Sequence, residues 1–262
     1  TPLQNRFAYA HHVLGRALAK LEQFPEAEKA YRKAIKHRTE LAAKSSSFRY
    51  SQRSTETGYV NVVHLSHEEY LAGDYISLGR LLKTTNRSPE AIDTFRKAVD
   101  LCEKLVTRST DNSANRDRFA EGCIELGLLL QAAGRQSEAD AAFSKSIDFW
   151  KGLSAKSPDA TEYRSNLAHS YYQQYELYYD NQRFPEAVES CRNAIKLREQ
   201  LVVGCPDTSE HRVALAWRYQ QLGDLMREME RQSEAEEPYL KAIGIREELA
   251  ASFPKAADYQ SL

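Results

Sequence analysis

Apolar residues recur along most of the chain at spacings of three and four, as in Phe119, Cys123, Leu126 and Leu130, which lines them up on one stripe of a helix. The stripe stops at the small and polar segment 132–135 and resumes from about 138 to 153, predicting two helices joined by a tight turn. Pro25, Pro89 and Pro185 fall where the second helix begins, a position at which a missing N–H costs nothing. Pro158, Pro206 and Pro254 mark where it ends. Pro238 lies five residues into a second helix and is expected to bend or loosen its first turns. No alternating β-branched run bounded by turn residues stands out, so no strands are predicted.

The helix pair repeats. Ala27, Ala91, Ala139, Ala187 and Ala235 each follow a Glu, at separations of 64, 48, 48 and 48 residues. Twelve residues before them stand Gly15, Gly79, Gly127, Tyr175 and Gly223, and four after them Tyr31, Phe95, Phe143, Cys191 and Tyr239. Many columns in one register define five copies of a 48-residue unit, the first followed by a 16-residue insertion. The repeats are assigned to 3–45, 67–114, 115–162, 163–210 and 211–258, in a single domain spanning 1–262. The start of a truncated sixth unit falls at 259–262, since Tyr259 is one period past His211. The insertion, at about 45–60, is rich in Ser and Thr with a central Gly58, and is expected to be a loop.

Leu78-Gly79 followed by Ala91, Phe95 and Ala98 resembles the tetratricopeptide repeat, whose usual period is about 34 residues. The resemblance covers nearly the whole chain, in an elongated form similar to repeats of planctomycete-type bacterial signalling proteins and of kinesin-light-chain-like arrays. It implies an all-α fold, a right-handed α-solenoid of five antiparallel helix pairs with a partner-binding groove. Physically, Gly and Ala in facing columns let two helices approach closely while the aromatic fills the space beside them. In the fourth repeat Tyr175 replaces the Gly and Cys191 the aromatic, which reads as volume compensation within one core layer.

Composition narrows the function. The 36 Lys and Arg against 37 Asp and Glu leave a formal charge of -1, which gives no global attraction for nucleic acid or anionic lipid. No apolar run reaches the roughly 20 residues of a membrane helix. Four scattered cysteines, Cys102, Cys123, Cys191 and Cys205, fit a reducing, cytoplasmic setting. The chain starts at Thr1 without a leader, and the expectation is a segment of a longer protein. No phosphate loop, nucleophile elbow or HExxH motif occurs, and His64 and His67 with Glu68 lack a further ligand. Asn115-Arg116-Asp117 has none of the motifs that accompany a kinase catalytic loop. No catalytic residue, metal or cofactor is therefore assigned.

Helical geometry gives the candidate binding residues. If the Gly column faces the partner helix, positions six and three before it and one and four after it line the groove. In the first three repeats these include Tyr9, His12, Arg16, Ile76, Arg80, Lys83, Leu128 and Gln131. In the last two they include His169, Tyr172, Glu176, Tyr179, Trp217, Gln220, Asp224 and Arg227. The expected groove is basic at one end through Arg16, Arg80 and Lys83, and aromatic and more acidic at the other. A protein or peptide partner with an acidic segment suits it, the alternative being a solvated polar face. The reading is a non-enzymatic interaction scaffold, with self-association through solenoid ends as a further expectation. Its alternative is a regulatory segment of a multidomain enzyme, such as a serine/threonine kinase with its catalytic domain elsewhere.

Overall fold

The computed structural model describes residues 2–44, 48–53, 60–206 and 208–252. In the order of the chain the elements are α1 (Pro2–Lys20), α2 (Phe24–Lys44), β1 (Phe48–Arg53), β2 (Val60–Leu65), α3 (His67–Thr84), α4 (Ser88–Arg108) and α5 (Ser113–Ala132). They continue with α6 (Gln136–Lys156), α7 (Thr161–Asp180), α8 (Phe184–Gly204), α9 (Ser209–Glu228) and α10 (Gln232–Ser252). This is an all-α helical-repeat fold carrying one inserted hairpin. The chain forms two compact units, Thr1–Arg135 and Gln136–Leu262. The division falls between α5 and α6, inside the repeat assigned to 115–162.

The hairpin corrects the reading of the insertion. β1 and β2 pair antiparallel, with Phe48 opposite Leu65 and Arg53 opposite Val60. A boundary drawn at 60 cuts through Val60, Val62 and Val63, whose branched side chains favour extended backbone. Gly58 lies outside the described residues, as do Pro254 and the unit expected at 259–262.

Each turn inside a helix pair is built the same way. Asn86 donates to the Lys83 carbonyl at 3.0 Å and Arg87 to the Leu82 carbonyl at 2.9 Å, the paired bonds that close a helix through one left-handed residue. The same two bonds recur through Glu22, Gly134, Gln182 and Glu230, with φ between 56° and 71°. Only one of these positions is glycine. The residue after the left-handed one immediately precedes the next helix, and at Arg87, Arg183 and Arg231 its side chain pairs with the Glu of the first turn. Those carboxylates, Glu90, Glu186 and Glu234, sit where the helix dipole favours negative charge.

In the first unit, Ala27, Ala34, Ala72, Ala91 and Ala98 are fully buried where neighbouring helices meet. A β-carbon on Gly79 would stand 2.8 Å from Cε2 of Phe95, and one on Gly15 2.9 Å from the Tyr31 ring. The aromatic therefore occupies the space that glycine leaves. α3 opens with a capping box between Ser66 and Glu69, and Glu69 also accepts from Asn112 Nδ2 at 2.6 Å and Asn115 Nδ2 at 2.8 Å. Asn115 is thus a buried tie between the starts of α3 and α5. Leu3, Phe7 and Leu14 are exposed apolar residues on α1, and Leu21, also exposed, follows its end.

In the second unit Gly223 meets Tyr239 as Gly79 meets Phe95, with a β-carbon position 2.7 Å from the ring. Tyr175 and Cys191, which exchange large and small in the fourth repeat, are both buried. Burial pushes the Cys191 thiol up to about 12. Pro238 is accommodated inside a continuous α10 and is buried. The expected loosening therefore does not end the helix, because only the Glu234 carbonyl loses its i+4 donor.

Candidate binding face

In the first unit the candidate face is built by α1, α3 and α5. Tyr9 is 46% exposed, Arg16 is exposed, and His12 is half-buried beside Tyr31 in an edge-on contact. Nδ1 of His12 lies 2.7 Å from Oδ1 of Asp74. A carboxylate accepts, so Nδ1 is the donor in this contact. Asp74 is fully buried and is shared with Arg38 of α2, whose guanidinium stands 2.6 Å from Oδ2. Arg38 also donates to the Tyr70 carbonyl at 2.8 Å and stacks over the Tyr70 ring. This network joins three helices beneath the face.

Arg80 and Lys83 do not stand as free cations. Arg80 pairs with Glu121 and Lys83 with Glu125, each at 2.6 Å, so α3 and α5 are laced by two ion pairs along the face. Burial raises the Glu121 carboxyl while Arg80 opposes that rise. Arg16 makes no ion pair among the described residues, so the basic character expected of three side chains rests on one. Leu128 and Gln131 are half-buried on α5. Ile76 requires a correction: it is 4% exposed, with Cδ1 3.4 Å from the place a β-carbon would take on Gly122. Glycine at 122 lets α5 close on α3, and Ile76 becomes core.

In the second unit the face is built by α7 and α9. His169, Tyr172, Tyr175 and Tyr179 form a ring-to-ring succession along α7 that ends on Phe184, with centroids 5.8–6.4 Å apart. Tyr172 and Tyr179 are half-buried, while Tyr175 is core. Arg218 of α9 lies over Tyr172 at 3.5 Å and bonds Gln221, which in turn donates to Glu176. The Tyr179 hydroxyl reaches Glu228 at 3.4 Å. Trp217 is 43% exposed, with Arg246 5.3 Å from its ring centroid, and Arg246 also bonds Gln220. Asp224 accepts from the Tyr239 hydroxyl at 2.8 Å and lies 3.6 Å from Arg227.

Sequence periodicity finds the aromatic positions but misses Arg38, Asp74, Arg218 and Arg246. The last two belong to no groove position, yet they decide which ring faces are covered. The signal for Arg80 and Lys83 was present: they stand three apart on α3 and Glu121 and Glu125 four apart on α5, so each pair lies on one helix face and can meet the other. His67 is buried, and no group of three potential metal ligands occurs among the described residues. No helix among them is long and apolar enough to cross a membrane.

A family model described as Tetratricopeptide repeat matches residues 8–40, and another of the same description matches 75–105. No curated protein sequence matches the chain. BtubC (BKLC) from P. vanneervenii superposes with a TM-score of 0.62 at 18% identity, over 95% of this chain and 84% of that one. The apo form of RapI gives 0.64 at 13% identity, over 97% of this chain and 60% of that one. The kinesin light chain nearly identical TPR-like repeats of Podosopora anserina give 0.50 at 19% identity, covering 94% and 97%. At these identities the likeness concerns the fold.

Proposed function

The chain is a tetratricopeptide-repeat protein, and from that premise we propose that it is a non-catalytic interaction scaffold whose first-helix face binds a segment of a protein partner. The observation that carries the reading is the exposure of large aromatics at repeat-equivalent positions of the first helices, Tyr9 at 46% in one unit and Trp217 at 43% in the other. A folded chain leaves such area open at a cost of about 25 cal/mol per Å², and amphipathic aromatics are frequent anchors of interfaces. Tyr172 and Tyr179 extend the aromatic strip on α7. Arg16 offers the partner an uncompensated guanidinium, suited to a carboxylate, so an acidic residue in the bound segment belongs to the proposal. The 48-residue period from Ala91 to Ala235, with the first repeat set off only by its insertion, supports reading the five repeats as one domain. A catalytic domain elsewhere in a longer chain would dock through the same face.

Capture of peptides from a random library on the full chain tests this, run beside Tyr172→Ala/Trp217→Ala and Arg16→Glu variants. Wild type is expected to enrich a consensus with an apolar anchor, the aromatic variant to lose about tenfold or more in affinity, and Arg16→Glu to lose the acidic preference. A consensus retained by both variants would sink the proposal. Light scattering at two concentrations tests the accompanying proposal that apolar end surfaces such as Leu3, Phe7 and Leu14 support self-association.

A further inference from the structure

A cleft of about 400 Å³ opens between α8, α9 and α10 in the second unit, away from the face described above. Its volume lies in the range of small-molecule sites. The repeat columns show how this junction differs from the one before it. At the preceding junction, Asp140 of α6 accepts from Gln174 at 3.0 Å and from the Tyr178 hydroxyl at 2.8 Å, with Arg183 at 3.8 Å. Glu28 plays the same part in the first unit, pairing with Arg87 and Arg32. One period after Asp140, Gln174 and Tyr178 stand Val188, Leu222 and Met226. The bridging acid is gone, and an apolar floor of Leu222, Met226 and Ile195 takes the place of the polar network.

The lining carries three acids, Glu199, Glu234 and Glu237, and three bases, Arg192, Lys196 and Lys241, but they are unevenly paired. Glu199 accepts from the Tyr219 hydroxyl, Glu234 pairs with Arg231 at 2.5 Å, and Glu237 pairs with Lys241 at 2.7 Å. Each carboxylate of the lining is thus engaged. Arg192 and Lys196 also line the cleft, one helical turn apart on α8, and neither makes an ion pair among the described residues. We propose that this cleft binds an amphipathic carboxylate, with its apolar body on Leu222 and Met226 and its carboxylate between Arg192 and Lys196. The proposal is independent of partner binding on the first-helix face. An anion gains from two cations that make no ion pair among the described residues, Arg192 acting on Glu234 without bonding it, and the apolar body covers a floor that the preceding junction fills with side-chain hydrogen bonds.

The chain has two methionines, Met226 and Met229, and only Met226 lines the cleft. Methyl-labelled methionine therefore reports occupancy by NMR, with Met229 as the internal reference. Titration of the full chain with 4-phenylbutyrate is expected to shift the Met226 methyl saturably below about 10 mM and to leave Met229 nearly still. The neutral 4-phenylbutyramide is expected to bind about tenfold more weakly or worse, and Arg192→Gln/Lys196→Gln to weaken the acid by a similar factor. Val188→Asp restores the acid facing Arg231 and is expected to abolish the shift. Acetyl-Leu-Phe, with and without its free carboxylate, distinguishes a chain terminus from a free acid as the source of the group. Absence of a saturable Met226 shift, or equal affinity of acid and amide for the unmodified protein, would overturn the proposal.

Discussion

Asp74 of α3 and Arg38 of α2 meet at 2.6 Å with both side chains closed off from solvent, and His12 of α1 joins the second oxygen of the same carboxylate. Removing one partner of a buried pair strands the other charge in a medium that solvates it poorly, at a cost of about 3–5 kcal/mol. Asp74→Asn is therefore expected to lower the unfolding free energy, read from urea denaturation, by an amount in that range. Arg38→Met with Asp74→Leu is expected to lose less than Asp74→Asn alone, because no charge is left behind. Equal losses would show that shape, rather than charge, holds the three helices.

Burial lowers the imidazoles of His11, His67 and His211 from their ordinary value of 6.5. Lys33 adds to the effect at His11, and so does His37, which stacks on its ring. The folded chain thus holds these protons less tightly than the unfolded one. Stability is then present in full above the unfolded value and is lost as pH falls below it toward the folded values. The urea midpoint is expected to fall between about pH 7.5 and about pH 6, a window above the titration of the paired glutamates. His67→Gln is expected to flatten the slope, and a slope unchanged in that variant would remove His67 from the account.

Glu22 and Glu230 hold left-handed backbone, at φ of 59° and 58°, where the equivalent turn of the third repeat uses Gly134. A β-carbon in that region crowds the neighbouring carbonyl, at roughly 1 kcal/mol. Glu230→Gly is expected to raise stability by up to about 1 kcal/mol, less whatever the unfolded chain gains in freedom. Gly134→Ala is expected to lower it by a similar amount, although a β-carbon there meets no atom within 4 Å. Thermal unfolding of both variants, with opposite signs, is the check.

The helices were legible because each repeat states the same instruction. An Ala or Gly column admits a close neighbour, an aromatic column fills the gap, and a turn of fixed length follows, so errors in one copy are corrected by the others. The hairpin was not legible because the insertion occurs once, and its Val60, Val62 and Val63 have no second copy to set their register. The placement of Tyr172 and Trp217 followed from helical angle alone. The pairing of Arg80 with Glu121 did not, since it depends on how far one helix is displaced along the next. Ile76 is buried where Gly122 brings α5 close to Val99 and Ile76, a local fit that no average over repeats contains.

The Gly79 and Phe95 contact predicts a coupled pair. Gly79→Ala places a carbon 2.8 Å from the ring and is expected to cost about 1–3 kcal/mol, with Phe95→Leu recovering part of the loss. The fourth repeat offers the reverse exchange. Tyr175→Gly alone is expected to cost about 3–5 kcal/mol by opening a cavity, and Cys191→Tyr alone to overpack the layer. Combined, the two recreate the column pattern of the other repeats and are expected to be less destabilising than the sum of the singles. Strict additivity in denaturation experiments would mean that the two side chains do not share one volume.

Charge compensation on α3 and α5 sets what the first unit presents to a partner. Glu121 and Glu125 hold Arg80 and Lys83 at 2.6 Å, so an incoming carboxylate must displace a resident one and gains little net Coulombic energy. Arg16 has no such competitor. On the proposed reading, Arg16→Ala is expected to weaken an acidic peptide selected by the library more than Arg80→Ala does, by about tenfold against about twofold. Glu121→Gln/Glu125→Gln frees both cations and is expected to tighten the same peptide several-fold, with a steeper loss on adding salt. All three variants change exposed or half-exposed groups and are expected to leave stability within about 1 kcal/mol of wild type. Fluorescence anisotropy of the labelled peptide at two salt concentrations reads both effects. If freeing Arg80 and Lys83 leaves affinity unchanged while Arg16→Ala abolishes it, the anion contacts α1 alone and the ion pairs serve only to fix α3 against α5.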